Sequence, residues 1–357
     1  MAGLFQVFFW LSRDNLVTLN ENSFEKIESL SYSPFEGYDK NLLSSEQIAY
    51  DVNLFENFTN KLRTYGTLEA YKILQSSKDS NLPIDLGLWI GGDLEANNLE
   101  IQRALEILKE YPNRIQSVIV GNEVLLRKEL EPLELYAYID FMKSHTKKPV
   151  TTAETWDIWE KNPQLASHVD FLTIHILPYW EKVPIERYNE FIIEKYSVVE
   201  ELFPNRKIVI GETGWPSHGY NNNSAIPSIK NQAQAIRGFV NLAHEKGWHY
   251  NIIEALDQPW KGYDEGNVGQ YWGIFTTDRA LKFQLAGEVE LNKYWLYQMI
   301  AAIIIGALLT LFGLKNQRVN ISHAFAYAIA AQGMAFGIVM AAIYPFVNYM
   351  NFGMWIM

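Results

Sequence analysis

The chain has 357 residues, a formal net charge of −11 and no cysteine. Its length fits one α/β barrel of about 250 residues with additional segments, or two ordinary domains. The acidic charge argues against nucleic acid as a partner, because proteins that bind nucleic acid present clustered Lys and Arg. The lack of cysteine excludes disulfides, a thiol nucleophile and thiolate metal sites.

The first segment is predicted at residues 1–25 and contains one short apolar run, Leu4–Leu11. No basic region precedes this run and no small-residue cleavage site follows it, so it is not a complete signal peptide. Two interpretations stay open. The run is either the remnant of a membrane anchor, or a strand or helix that packs on the following domain.

Residues 26–285 are predicted to form one domain in which β-rich runs alternate with amphipathic segments. This alternation is typical of repeated βα units around a parallel sheet. The predicted strands are Ile27–Ser33, Lys61–Tyr65, Ile84–Gly91, Gln116–Val120, Val150–Ala153, Phe171–Ile176, Lys207–Gly211 and Asn251–Leu256. The clearest predicted helices are Ser45–Asn60, Leu99–Glu110 and Ser228–Lys246.

Closure of these strands into a (β/α)8 TIM barrel is the favoured architecture, so the predicted fold class is α/β. An open, doubly wound sheet is the alternative. Such a sheet usually begins with a GxGxxG turn, and this sequence contains none.

Two long uncharged apolar runs, Tyr294–Leu314 and Ala324–Tyr344, lie near the C-terminal end. Each is about long enough to cross a ~30 Å hydrocarbon layer, although a buried helical hairpin is an alternative. We therefore predict a linker at 286–293, two transmembrane helices at 294–344 and a truncated hydrophobic tail at 345–357.

The orientation of these helices is predicted by the basic residues between them, Lys315 and Arg318. Cytoplasmic loops carry an excess of Lys and Arg, so this loop is expected in the cytoplasm. Residues before Lys293 would then lie outside.

Two glutamates are the best candidates for catalytic residues, because each ends an apolar strand on the face where the active sites of barrels lie. Glu123 ends the run Ser117–Glu123, and Glu212 ends the run Lys207–Glu212. Glycoside cleavage needs one carboxyl to protonate the leaving oxygen and another to attack or stabilise the anomeric carbon, ~5 Å apart for retention. We predict Glu123 as acid/base and Glu212 as nucleophile. The alternative is that these glutamates are only solvated, or paired with cations such as Arg63 or Lys261.

Other polar and aromatic side chains at strand ends are predicted to bind substrate, since aromatic rings suit the apolar faces of sugars. These are Tyr32, Arg63, Tyr65, Asn122, His175, Tyr179, Trp180, Trp215, Glu254, Trp260 and Lys261. We expect Glu212 to be ionised, and Glu123 to be held protonated by partial burial and by the charge of Glu212. No metal site and no cofactor is predicted, because HExxH and GxSxG are absent.

Five ordered motifs between about Lys26 and Phe283 resemble those of glycoside hydrolase family 17. They are Gly121–Val124, Thr151–Trp156, Asp170–Glu181, Gly211–Ser217 and Glu254–Lys261. The resemblance implies a (β/α)8 barrel, retention of configuration and β-1,3-glucan as substrate. It implies endo hydrolysis or transfer of a glucan chain to a glucan acceptor. It also implies the same roles for Glu123 and Glu212.

The segment His175–Glu181 resembles bacterial members in which the barrel precedes membrane helices and a glycosyltransferase domain. That resemblance implies a bacterial inner membrane, a barrel on its periplasmic or extracellular side, and a glycosyltransferase as a further partner. Two alternatives stay open. One is a catalytically silent glucan-binding module that serves a synthase, and the other is a retaining glycosidase on another β-glycan.

Overall fold

The computed structural model describes residues 2–11, 16–19, 26–292 and 294–348. Parts of the predicted N-terminal segment and the end of the predicted tail, from 349 onward, lie outside these residues. The described chain forms two compact units. One falls within 21–217 and 221–286, and the other within 1–20, 218–220 and 287–357.

The first unit is a closed barrel of eight parallel strands, which confirms the predicted TIM barrel. Every residue of the third strand is buried, as expected for a parallel sheet covered by helices. The barrel strands are β1 (Leu30–Ser31), β2 (Leu62–Arg63), β3 (Ile84–Leu88), β4 (Ile115–Asn122), β5 (Val150–Thr155), β6 (Leu172–His175), β7 (Ile208–Thr213) and β8 (His249–Ile252).

Seven helices surround these strands within the described residues. They are α1 (Ser45–Glu56), α2 (Thr67–Ser76), α3 (Leu94–Glu110), α4 (Pro132–His145), α5 (Trp156–Lys161), α6 (Tyr188–Leu202) and α7 (Ile229–Lys246). Helix α3 begins earlier than predicted, because the Asp93 carboxylate accepts the N–H groups of Glu95 and Ala96.

The segment after β8 contains no α-helix before Ala286 in the part of the chain that the structure describes. Two 3-10 turns, Pro259–Gly262 and Asn267–Tyr271, take its place. A short hairpin of Phe35–Glu36 with Asn41–Leu42 follows β1. These irregular segments build one side of the barrel mouth.

The second unit contains the helices Ala2–Leu11, Trp295–Leu314 and Ile321–Asn348, and Leu16–Thr18 paired with Glu288–Glu290. The predicted apolar run Leu4–Leu11 is thus helical, and it packs on the two long helices. Its Gln6 side chain donates to the backbone oxygen of Gln332 at 2.6 Å. Trp10 is buried in a cluster with Ala302 and Val339.

The two long C-terminal helices are apolar yet largely uncovered by protein. Within the most apolar 18-residue part of each helix, only 11% of the residues are buried in Trp295–Leu314 and 22% in the next helix. A core helix of a soluble domain would be mostly covered. Length and composition allow both to cross a membrane.

Candidate active site

Glu123 and Glu212 meet at the C-terminal mouth of the barrel. Glu123 directly follows β4, and Glu212 lies near the end of β7. One oxygen of each carboxylate and one ring nitrogen of His175 lie within 4.8 Å of one another. This separation is close to the ~5–5.5 Å of retaining glycosidases, and it is shorter than the ~6.5–9.5 Å of inverting ones.

The backbone around Glu123 is held in an unusual conformation. Glu123 has φ 54, and Gly121 has φ 84. A Cβ at Gly121 would lie 2.5 Å from Val124, so glycine is required there. The Glu123 N–H donates to the Ala153 oxygen at 2.7 Å, and the buried Glu154 carboxylate accepts the N–H of Leu125 at 2.7 Å. The neighbouring strand β5 therefore fixes the turn that presents Glu123.

His175, at the end of β6, connects Glu123 to a buried arginine. Its Nδ1 lies 2.7 Å from Glu123 Oε1, and its Nε2 lies 3.3 Å from both terminal nitrogens of Arg63. A guanidinium group can only donate, so Nε2 accepts and Nδ1 carries the proton. His175 therefore donates a hydrogen bond to Glu123.

Arg63 connects three strands beneath the cleft and is only 2% exposed. Its Nη1 lies 3.4 Å from Glu212 Oε1 and donates to the Gly211 oxygen at 2.5 Å. Its Nη2 donates to Asn122 Oδ1 at 2.7 Å. The guanidinium thus places a positive charge beside the Glu212 carboxylate, as suits a carboxylate nucleophile.

The expected protonation of Glu123 is wrong for the site as it stands. Burial raises the pKa of Glu123, but the hydrogen bond from His175, together with the positive charges of Arg127 and Arg63, outweighs burial. Together, these effects lower the pKa of Glu123. The strand-end pattern did not reveal this, because it depends on how β6 aims His175 at the carboxylate.

Buried Glu254 and Lys261, with half-buried Tyr65, form a further polar group near Glu212. Lys261 Nζ lies 2.5 Å from Glu254 Oε2. Burial raises the pKa of Glu254 despite the opposing charge of Lys261. Burial and the charge of Glu212 raise the pKa of Tyr65, whose hydroxyl donates to Ser31 Oγ at 3.1 Å. Tyr65 is therefore neutral and able to donate.

Three of the predicted substrate-binding residues do not face the cleft. Tyr32 points outward, where its hydroxyl donates to Asp51 of α1 at 2.8 Å. Side chains alternate along a strand, so the inward position of Ser31 turns Tyr32 away. Tyr179 and Trp215 are fully buried and pack edge-on, with ring centroids 5.7 Å apart. They can support neighbouring rings but cannot stack on a sugar.

Trp260 is half-buried, and a lysine side chain lies against its ring. The Lys40 ammonium group lies 4.2 Å from its ring centroid, and its Nε1 donates to Gln258 at 2.7 Å. Trp180, by contrast, is half-buried and stacks with Trp272 at 5.9 Å.

A cavity of about 300 Å³ opens beside the two glutamates. Its walls are formed by Glu123, Leu126, Thr155, Trp156, His175, Leu177, Trp180, Glu181, Glu212, Ile253, Glu265 and Trp272. Glu265 and Trp272 were not predicted, because they lie in the long segment after β8, away from any strand end. Trp156 directly follows β5, and the strand-end pattern and the motif Thr151–Trp156 point to it. Burial raises the pKa of Glu265 to about 7.

The three atoms of Glu123, His175 and Glu212 are also close enough to hold a metal ion. The Arg63 guanidinium, however, already lies 3.4 Å from the Glu212 oxygen. A second cation there would be repelled by it. The donor set therefore suits carboxylate chemistry better than metal binding.

Comparison with known proteins assigns the barrel to a family. Residues 29–273 match the BtgE/BtgC glycoside hydrolase domain. A glucan 1,3-beta-glucosidase of Schizosaccharomyces pombe is 27% identical over 66% of this chain and 79% of the relative. A glucan 1,3-beta-glucosidase of Saccharomyces cerevisiae is 24% identical over 68% of this chain and 85% of the relative. Across the curated relatives compared, the chain spans from 39% to 85% of their length.

A solved structure agrees with this assignment. The glycoside hydrolase family 17 beta-1,3-glucanosyltransferase of Rhizomucor miehei is 25% identical, with a TM-score of 0.65 over 72% of this chain and 95% of that chain. An active-site mutant of the R. miehei transferase has been crystallised with laminaritriose. The chain belongs to the BtgE/BtgC glycoside hydrolase family, which confirms the resemblance to family 17 in its strand-end motifs.

Proposed function

We propose that this protein is a membrane-anchored, retaining glycosidase that acts on β-1,3-glucan by hydrolysis or by glucanosyl transfer. The observation that carries the proposal is the approach of Glu123 and Glu212 to within 4.8 Å across the barrel mouth. The substrate class is supported by the relatives named for 1,3-β-glucan and by the laminaritriose complex of the R. miehei transferase.

In the first step, Glu212 attacks the anomeric carbon while Glu123 gives its proton to the leaving glycosidic oxygen. A glycosyl-enzyme forms, and the shortened glucan leaves with the proton. Arg63, 3.4 Å away, places a positive charge beside the attacking carboxylate. Because Arg63 also donates to Asn122 Oδ1, the amide nitrogen of Asn122 remains to donate to the sugar 2-hydroxyl.

In the second step, Glu123 must be ionised, so that it can take a proton from the incoming water or sugar hydroxyl. The hydrogen bond from His175 stabilises this form. For the first step, a bound sugar must raise the pKa of Glu123 by burying it further and by engaging it at the leaving oxygen. His175 thus sets the balance between the two steps.

Transfer is proposed alongside hydrolysis, since the two differ only in whether a sugar hydroxyl or water accepts the glycosyl group. The half-buried ring of Trp180 lines the cavity, is backed by the buried ring of Trp272, and offers a platform for an acceptor. A barrel held near emerging glucan would meet a high local concentration of acceptor. A plain endo-hydrolase is the alternative.

Membrane anchoring is proposed from the two exposed apolar helices, with Ala2–Leu11 packed against them. Lys315 and Arg318 favour a cytoplasmic loop, and hence a barrel outside the cytoplasm. A bacterial inner membrane and a glycosyltransferase partner stay predictions.

The test is to assay the full chain in detergent on laminarin, a mixed-linkage glucan and a β-1,4-glucan. Cleavage of laminarin with retained β configuration is expected. Turnover of the β-1,4-glucan alone would assign another substrate. Binding of laminarin without any turnover would indicate a glucan-binding module and overturn the proposal.

A further inference from the structure

A half-exposed tryptophan stands next to the catalytic mouth and has no part in the chemistry described above. Trp89 directly follows β3, and 47% of its surface is exposed. Leu88 pairs with Val120 of β4, so Trp89 lies one strand away from the turn that carries Asn122 and Glu123. An exposed indole at this position calls for a physical reason, since large apolar rings are usually covered.

The Trp89 ring is held by an arginine from the Glu123 turn. Arg127 lies with its guanidinium carbon 4.5 Å from the ring centroid, a stacking arrangement. Arg127 is fixed in turn by two hydrogen bonds to the Glu129 carboxylate, at 2.9 and 3.0 Å, and by bonds to the Asn122 and Ile90 oxygens.

The backbone of Trp89 is also anchored. Its N–H donates to Glu100 of α3 at 2.9 Å. The ring is therefore preorganised while part of it stays open to solvent. A rigid, partly exposed ring loses little conformational entropy when a ligand stacks on it. Leu126, next to Arg127, lines the catalytic cavity and is 41% exposed, so the turn after Glu123 carries both a wall of the cavity and the arginine that holds the Trp89 ring.

We infer that Trp89, held by Arg127, is a remote subsite on which a sugar ring of the glucan chain stacks, outside the unit bound at Glu123 and Glu212. The occupant is the same chain that fills the cavity, because Trp89 lies one strand from Glu123 and is held by the turn that carries the cavity residue Leu126. The apolar face of a pyranose ring suits the indole, and the charged rim of Arg127 and Glu129 suits its hydroxyl groups. The subsite makes the enzyme favour long glucans. This inference rests on the proposed function.

The test measures kcat/KM for laminari-oligosaccharides of three to seven glucose units with the full chain in detergent. In W89A, the value for the longest oligosaccharide should fall about tenfold more than that for the shortest, equivalent to about 1.4 kcal/mol. W89F keeps a flat ring and should recover much of the preference. Y50A, which removes a ring 57% exposed on α1, is the matched control and should keep the wild-type ratio.

An unchanged length preference in W89A, or an equal fall for every length, would overturn the subsite. If W89A does not fold, W89L keeps apolar volume beside Arg127 without the flat ring and gives the same comparison. A wild-type protein inactive on every oligosaccharide would instead contradict the proposed function.

Discussion

Removing the hydrogen bond from His175 to Glu123 should change the pH dependence of the enzyme in a defined direction. The bond is 2.7 Å long, and the Glu123 side chain is 22% exposed. Hydrogen bonds to charged groups contribute about 1.5–3 kcal/mol. Losing the bond destabilises the carboxylate, so the pKa of Glu123 must rise. At 1.36 kcal/mol per pH unit, the basic limb of kcat/KM should move up by about one to two units.

The assay compares pH profiles of laminarin cleavage for H175A and H175N. Asparagine can place an N–H near the position of Nδ1, so H175N should keep its basic limb close to that of the wild type. H175A should also slow the second step, because a more basic Glu123 is less often ionised in the glycosyl-enzyme. A basic limb that moves down in H175A, or moves equally in both variants, would refute this role of His175.

The remaining predictions concern the two glutamates, the membrane topology and glucanosyl transfer. E212A should lose at least about a thousandfold in turnover while keeping glucan affinity, and azide should restore turnover as an α-glycosyl azide; substantial residual hydrolysis would exclude the assignment. E123Q should retain far more activity on an aryl glycoside with a good leaving group than on laminarin, and an equal loss on both would contradict an acid role. Because the native chain lacks cysteine, N221C should react with an impermeant thiol reagent from outside and Q317C should not; the reverse pattern would put the barrel in the cytoplasm. At high concentrations of a defined laminari-oligosaccharide, mass spectrometry should detect products longer than the input, and their absence at every concentration would exclude transfer.

The barrel was predictable because eight apolar runs alternate with amphipathic ones. In such a barrel, the C-terminal end of every strand lies on the catalytic face, so residues there are candidates for the site. Arg63, Asn122, Glu123, His175 and Glu212 were found by this rule, and the structure brings them together. Local sequence is sufficient here, since each residue is positioned by its own strand.

The rule failed where side-chain direction or loop folding decides. Tyr32 lies at a strand end but on the outward face. Tyr179 and Trp215 are fully buried and pack against each other. Glu265 and Trp272 reach the cavity only through the irregular segment after β8, whose path depends on tertiary contacts. The protonation of Glu123 was mispredicted for the same reason, because its partner comes from a different strand.

A covalent glycosyl-enzyme on Glu212 is the species that distinguishes this mechanism from binding alone and from inversion. It can be trapped with a 2-deoxy-2-fluoro-β-laminaribiosyl fluoride, followed by proteolysis and peptide mass spectrometry. The peptide that contains Glu212 should gain the mass of the fluorosugar, and E212A should gain none. A wild-type enzyme that turns over laminarin but forms no adduct, or an adduct on another residue, would contradict the assignment of Glu212 as nucleophile.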